Sequence, residues 1–241
     1  MNQKAAARAR ETTTERLMRK AYRFRLRKSK LSTRNLDRLC RENASDVYTL
    51  VVHSEDVDYK PYFPNAYAVT KRKDVPADRH VDVHYNEVSE LESGSFDLIL
   101  CTGLLEHLPN PQKFVNEMHR ILRPGGKLII SASAVFSFHE CPNNFFHFTP
   151  YGFRLLFKDW AGFQMLRGAS QPFETIGILL QRILLQCDIF PPLRPFVELA
   201  AVSARFFDRF IVRQYDTREF KTDASLTDSM LPSNIQAVVL R

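Results

Sequence analysis

The feature that most constrains this chain is a strand–helix–strand pattern between residues 96 and 132. Phe96–Cys101 is an apolar run, and Lys127–Ala132 is a second one that follows a Pro-Gly-Gly turn. Between them, apolar residues recur at helical spacing, and Pro111 can occupy the first helical turn. Because two strands joined by a single helix run parallel through a right-handed crossover, this segment predicts a parallel sheet. Such apolar strands also predict helices on both faces of the sheet.

Short apolar or β-branched runs, separated by turns, predict five further strands. These are Val47–Val52, Ala66–Thr70, Val81–His84, Gly162–Leu166 and Asn234–Leu240. The chain is therefore predicted to be an α/β protein with a doubly wound, mostly parallel seven-stranded sheet. Two more helices are predicted before the last strand, at Glu174–Phe190 and Leu193–Val212, on either side of a Pro-Pro pair.

The positive charge is concentrated at the start of the chain. The net charge is +7, but residues 1–41 carry +11 and the remainder carries −4. The composition of this start favours helix, in two pieces, with Ser32 or Thr33 capping the second. We predict a basic helical arm over residues 1–43 and one domain over residues 44–241, with a helical insertion or lid at 172–232. The arm suits either contact with a nucleic acid or an anionic membrane, or a solvated terminal helix.

The sequence supports neither a membrane-spanning protein nor a cysteine-based metal site. No apolar run reaches the roughly 18 residues that a membrane-spanning helix needs. The cysteines Cys40, Cys101, Cys141 and Cys187 have no metal-type spacing. We expect free thiols and a cytoplasmic location. His139, Cys141 and His147 with Glu140 match no zinc motif, so we predict no metal ligands.

Two adjoining segments resemble the central signature of class I S-adenosylmethionine-dependent methyltransferases of the type 11 group. The first segment is SFDLILCTGLLEHLPNP, from Ser95 to Pro111, and the second is MHRILRPGGKLII, from Met118 to Ile130. The resemblance implies a Rossmann-like methyltransferase fold, S-adenosylmethionine as the cofactor and methyl transfer as the activity.

A further stretch, Phe138–Pro142 with Phe145–Phe153, is similar to a segment after the fifth strand in a bacterial subgroup of these proteins. The resemblance implies that it forms part of the substrate side of the cleft, and that the acceptor belongs to a glycan or small-metabolite pathway. This chain has Asn144 and His147 near the positions where the subgroup has Asp and Arg. The aromatic residues of the stretch suit either stacking on a ring substrate or a lid packed on the sheet.

The predicted site lies where strands four and five end, because ligands of open α/β sheets bind at the carboxyl ends of the strands. Ser131–Ser133 end strand five and face the same crevice as the end of strand four. The predicted cofactor contacts from this edge and from the loop after strand three are Cys101, Thr102, Gly103, Asn86 and Glu87. His107 and His139 are the candidates for removing a proton from the acceptor. For His107 the alternative is packing and capping at the next helix.

The cofactor side departs from the family pattern. The family's Gly-rich turn after strand one falls on residues 52–59, which contain no glycine. If the cofactor binds, it binds through a rebuilt loop, whose contacts are predicted to be His53, Ser54, Glu55 and Asp56. Where the family usually offers an acid after strand two, this chain has Lys71, which has no acceptor for the ribose hydroxyls.

These observations predict S-adenosylmethionine-dependent methyl transfer to a small-molecule or glycan acceptor. The missing glycines and Lys71 favour an alternative, a catalytically inactive methyltransferase-like scaffold or interaction protein. The basic arm favours a second alternative, a nucleic-acid methyltransferase. The apolar helices at residues 174–212 favour a substrate lid or a homodimer surface, with membrane contact as a third reading.

Overall fold

The computed structural model describes residues 30–52, 57–81, 90–214 and 229–241. Their strands are β1 Thr49–Val52, β2 Ala66–Thr70, β3 Arg79–His80, β4 Phe96–Thr102, β5 Leu122–Ser133, β6 Gly162–Gly168 and β7 Asn234–Leu240. They form one sheet in the order β3-β2-β1-β4-β5-β7-β6. Of these strands, β7 runs antiparallel to its neighbours β5 and β6, and the other pairs are parallel. The predicted mostly parallel, seven-stranded α/β sheet is confirmed.

The described α-helices are α1 Leu31–Glu42, α2 Pro111–Ile121, α3 Pro150–Leu156, α4 Pro172–Gln186 and α5 Arg194–Ser203. Short 3-10 turns occupy Leu105–His107, Pro191–Leu193 and Ala204–Phe210. The second helix predicted before β7 is therefore divided into α5 and a 3-10 segment. Both helices of this region lie between β6 and β7 in the chain, as predicted.

The β4–α2–β5 unit forms as its sequence predicts, with one difference. Asn110 caps α2 by accepting from the main-chain N–H of Lys113 at 3.1 Å, and Pro111 follows at the first helical position. However, β5 begins at Leu122 and not at Lys127. Leu122 already pairs with Phe96, and the pairing then shifts so that Leu98 lies opposite Lys127. The Pro-Gly-Gly turn is thus a bulge within the strand, which Gly125 permits with a φ of +77°.

The third strand begins two residues earlier in the chain than predicted. β3 consists of Arg79–His80, which pair with Val69 and Thr70. Val81, at the start of the prediction, follows β3 and donates its main-chain N–H to the Thr70 carbonyl at 2.9 Å. Residues 82–84 of the prediction lie outside the described residues.

Helix α1 begins at Leu31, so the prediction that Ser32 or Thr33 caps it was wrong. The reason is a contact that local sequence does not show. The main-chain N–H of Leu31 donates at 2.8 Å to the side-chain oxygen of Gln181 on α4. That buried bond supplies the acceptor that a capping hydroxyl would otherwise provide. The first helical piece predicted for the arm lies outside the described residues.

Apolar side chains cover both faces of the sheet, as predicted. One face packs against α2 and α3, and its fully buried residues include Leu50, Ile99, Met118 and Phe153. The other face packs against α1, where Leu39 and Cys40 are fully buried beside Leu100. Helix α1 is therefore part of the core, although it lies within the segment that the sequence assigned to the basic arm.

The helices between β6 and β7 leave many large apolar side chains exposed. Those of α4, α5 and the adjoining turns are Phe173, Ile176, Ile183, Leu185, Phe190, Leu193, Phe196, Leu199, Val202, Phe206, Phe207 and Phe210. Among the described helices, none has the length and apolar character needed to cross a bilayer.

Candidate functional site

The carboxyl ends of β1, β4 and β5 lie side by side, as the predicted crevice requires. Val52 at the end of β1 pairs with Cys101, and Thr102 at the end of β4 pairs with Ser131. The strand order reverses at β1 and β4, with β2 on one side and β5 on the other. This edge is where open α/β sheets bind their ligands. The main-chain N–H of Gly103 donates to the Ser131 carbonyl at 3.0 Å and holds the two ends together.

The predicted cofactor residues at the end of β4 differ in what they can offer. Cys101 is fully buried in the core, and burial raises the pKa of its thiol, so any contact with a ligand would come from its main chain. The Thr102 side chain is also buried. Gly103 has a φ of +64°, and no atom of the described residues lies within 4 Å of where a Cβ would be. His53, Ser54, Glu55, Asp56, Asn86 and Glu87 lie outside the described residues.

Glu106, in the 3-10 turn after β4, connects three segments of this edge. One carboxylate oxygen, Oε1, accepts from the main-chain N–H of Ser133 at 3.2 Å and from its hydroxyl at 2.7 Å. The main-chain carbonyl of Glu106 accepts from the N–H of Phe145 at 2.8 Å. Its side chain is 1% exposed. The sequence analysis gave Glu106 no role of its own. The feature that could have indicated one is that Glu106 is a single acidic residue in the otherwise mostly apolar stretch from Leu104 to Leu108.

His107 and His139, the two predicted catalytic histidines, are brought together. Their ring centroids are 4.7 Å apart and the rings are nearly perpendicular, at 83°. Nδ1 of His107 faces the main-chain oxygen of Asn143, and Nδ1 of His139 faces that of Ser137. His107 is 1% exposed, whereas His139 is half-buried. His107 packs, but it does not cap the next helix, because Asn110 does so.

The surroundings of His139 favour its neutral form. Burial lowers the pKa of the ring, and the nearby His107 and Arg182 lower it further, against the opposing effects of the Ser137 carbonyl and of Glu106. The ring of His139 also lies edge-on to Phe136, with centroids 5.2 Å apart.

Helix α4 holds the segment that carries His139. Nε of Arg182 donates to the Ser137 hydroxyl at 3.0 Å, and its guanidinium lies 4.9 Å from the centre of the Phe136 ring. The side-chain amide of Gln186 donates to the Phe138 carbonyl at 2.7 Å. Helix α4 therefore fixes the segment on either side of Ser137 and Phe138, next to His139.

The aromatic residues of the stretch after β5 fall into a buried group and an exposed group. Phe148 and Phe153 are buried in the core, with ring centroids 5.6 Å apart. Phe145, Phe146 and Tyr151 are exposed. The amide atoms of Asn144 are buried and have no hydrogen-bond partner among the described residues, and His147 is exposed.

A cavity of about 420 Å³ lies elsewhere in the molecule. It opens beside the first half of β2 and is lined by Tyr59, Phe63 and Asp78, among others. None of the predicted site residues that the structure describes lines it. Because it lies beside the amino-terminal half of a strand, away from the edge where ligands of such sheets bind, we assign it no role.

The fold and this edge define a class I methyltransferase-type domain, and comparison with known proteins agrees. Residues 34–130 match the family model described as methyltransferase domain. A SAM-dependent methyltransferase from Archaeoglobus fulgidus has a similar structure, with a TM-score of 0.52 and 12% identity over 90% of this chain and 96% of that one. The resemblance to the type 11 methyltransferases is confirmed over residues 34–130.

Curated relatives match over shorter stretches. The ubiquinone biosynthesis O-methyltransferase of Xanthomonas oryzae pv. oryzae strain PXO99A is 34% identical over 71 residues, which are 28% of this chain and 30% of that protein. The protein of the same name from Pseudomonas aeruginosa strain LESB58 is 36% identical over 45 residues, 19% of each chain. The chain thus spans less than a third of the length of these relatives.

Proposed function

We propose that this protein transfers a methyl group from S-adenosylmethionine to an oxygen or nitrogen atom of a small-molecule or glycan acceptor. The observation that carries the proposal is the paired ends of β1, β4 and β5, with an open glycine directly after β4 and a Glu-His-His cluster from the segments after β4 and β5. Methyl transfer is an in-line displacement, so a rigid edge that aligns donor and acceptor supplies much of the rate.

The described part of the site fits the cofactor. Gly103 leaves open space at the end of β4, where a main chain can approach a ligand closely. We assign the other contacts to the segments predicted from the sequence, namely residues 53–56, Asn86 and Glu87, with the main chain of Cys101 and Thr102. S-adenosylmethionine would supply the electrophilic methyl group at this edge.

We assign the acceptor to the other side of the crevice, beside His139. His139 is half-buried, whereas His107 behind it is almost fully buried, so His139 is the ring of this pair that can contact an acceptor. The ubiquinone-pathway names of the curated relatives support a small-molecule acceptor. They match less than a third of this chain, so they favour a class of acceptor and not a compound.

Two glycines provide a matched test of cofactor binding. Gly103 and Gly125 both have positive φ, +64° and +77°, and within the described part of the chain a Cβ at either meets no atom within 4 Å. Replacing either by Ala therefore carries a similar backbone cost of about 1–2 kcal/mol. Only Gly103 lies at the proposed cofactor edge. Titration calorimetry with S-adenosylhomocysteine should show binding by the wild type and Gly125→Ala, and binding at least about tenfold weaker, or about 1.4 kcal/mol, for Gly103→Ala.

The absence of binding by the wild-type chain at millimolar ligand would reject the enzyme and favour the inactive scaffold predicted as the alternative. Equal binding by both variants would show that the ligand does not lie against Gly103. The homodimer through residues 174–212 and the contacts of residues 1–41 with nucleic acid or anionic membrane stay predictions.

A further inference from the structure

We propose that Glu106, His107 and His139 form a binding site for one divalent transition-metal ion of the Zn²⁺ type. The sequence predicted no metal ligands, and Glu106 was in none of the sets considered there. The three residues come from two places in the chain, the turn after β4 and the segment after β5, which the fold brings together.

The distances suit an ion after a small adjustment. One donor atom from each residue lies within 4.8 Å of the other two. Ligands held at about 2.1 Å from a tetrahedral ion are about 3.4 Å apart, so each side chain needs to rotate inward by less than about 1 Å. The two histidines and one carboxylate are a ligand set that Zn²⁺ uses with a fourth, open position.

Main-chain carbonyls set the two imidazole rings for this role. A carbonyl oxygen can only accept, so Nδ1 of His107 and Nδ1 of His139 each donate, to Asn143 and Ser137 respectively. In a neutral ring whose Nδ1 carries the hydrogen, Nε2 carries the lone pair that binds a metal. Fixing a ligating histidine through its other nitrogen is the usual arrangement around protein-bound metals.

The carboxylate provides an independent indication. Oε1 of Glu106 is satisfied by Ser133, but Oε2 is buried and has no hydrogen-bond partner among the described residues. A carboxylate oxygen buried without a partner is unfavourable, and a cation removes that cost. The Ser133 bonds also orient the carboxylate, as outer-shell partners do for metal ligands.

Because only one of the three residues is partly exposed, a bound ion would keep one coordination position that another ligand can reach. Glu106 and His107 are each 1% exposed, whereas His139 is half-buried. A bound ion would therefore be reached from the His139 side, which is the side assigned above to the acceptor. If the proposed function holds, an acceptor hydroxyl could bind the ion there, and the ion would lower the pKa of that hydroxyl. Metal binding itself does not depend on the proposed function.

The test uses the full chain, freed of metal with a chelator and then titrated with Zn²⁺ by calorimetry and with Co²⁺ by visible absorption, without S-adenosylmethionine. We expect one ion per chain with a Kd of about 10 μM or tighter. Glu106→Gln and His139→Gln should each weaken binding by about 100-fold. Glu106→Gln keeps an oxygen for the Ser133 bonds. If that variant misfolds, His139→Gln decides, because the His139 ring is half-buried and bonds to a main-chain carbonyl.

Two controls address adventitious binding. His147→Gln removes an exposed histidine of the same loop, and Cys141→Ser removes an exposed thiol two residues from His139. Both variants should bind as the wild type does, and the Co²⁺ complex should show no thiolate charge-transfer band. The proposal is overturned if the wild type binds no ion, if Glu106→Gln and His139→Gln bind normally, or if Cys141 or His147 is required. Failure of S-adenosylhomocysteine to bind would leave this result unaffected.

Discussion

Helix propensity alone predicts that replacing a glycine inside α4 by alanine stabilises the protein, but the contact between α4 and α5 predicts the opposite. Gly177 lies inside α4, and a Cβ added there would be 2.4 Å from the main-chain oxygen of Ala201 and 3.3 Å from the Cβ of Ala204. Real Cβ contacts are essentially never shorter than 3.0 Å, so the helices would have to separate by about 0.6 Å. Because the first of these contacts is with main chain, no side-chain rotation can relieve it.

The magnitude follows from two opposing effects. Ala in place of Gly in a helix gains about 1 kcal/mol from propensity. Overpacking a tight contact costs about 1–3 kcal/mol, and a clash with main chain belongs at the upper end. We therefore expect Gly177→Ala to lower the free energy of unfolding by about 1–2 kcal/mol, which for a chain of this length lowers the Tm by about 2–8 °C.

Gly152 is the matched control for this measurement. It lies in the first turn of α3, where a Cβ would meet the Thr149 hydroxyl oxygen at 3.6 Å and Phe148 at 4.0 Å, both ordinary contacts. Gly152→Ala should leave the Tm unchanged or raise it by a few degrees, because the propensity gain of up to about 1 kcal/mol is unopposed. Circular dichroism melts of both variants provide the assay. A Gly177→Ala variant as stable as the wild type would show that α5 does not approach α4 so closely.

Two further predictions concern thiols and assembly. Cys40 and Cys101 are buried, and burial raises the pKa of Cys40 to about 12, whereas Cys141 and Cys187 are exposed. A thiol-reactive disulfide reagent near neutral pH should therefore modify two cysteines in the native chain and all four after unfolding. Four fast-reacting thiols in the native chain would contradict the fold. If the chain forms the predicted homodimer, light scattering should give twice the chain mass of 28.0 kDa. The double variant Phe196→Ser with Phe210→Ser should have the mass of one chain, whereas Phe138→Ser, which removes an equally exposed ring outside α4 and α5, should stay a dimer. A wild-type monomer would reject the homodimer.

The part of the fold that the sequence predicts best is the part whose signals are local. The β4–α2–β5 unit has its cap, its helical stripe and both strands within one stretch of chain, and each indicates the same structure. The adjacency of the β4 and β5 ends is also expected from local sequence, because strands that follow each other in the chain are usually neighbours in the sheet. Consistency of this kind is what makes a short segment predictable.

The features that the sequence missed depend on distant partners. The start of α1 is fixed by Gln181, which is 150 residues away. The role of Glu106 depends on Ser133, 27 residues later, and on Phe145 beyond it. The start of β5 at Leu122 depends on pairing with Phe96 across the sheet. No periodicity or capping pattern contains this information, because each contact is decided by how whole elements pack.

The end of the family match at Ile130 divides the residues of the candidate site into two groups. The family match ends there, after the scaffold strands and the turn that carries Glu106 and His107. Ser133, His139 and the α4 side chains that hold the His139 segment all follow that point. The side that we propose for the acceptor therefore consists mainly of sequence that the family model does not cover, on a framework that it does. Since chemistry belongs to the site and not to the fold, our proposal predicts that substitutions at His139, Arg182 and Gln186 would change which acceptor is used.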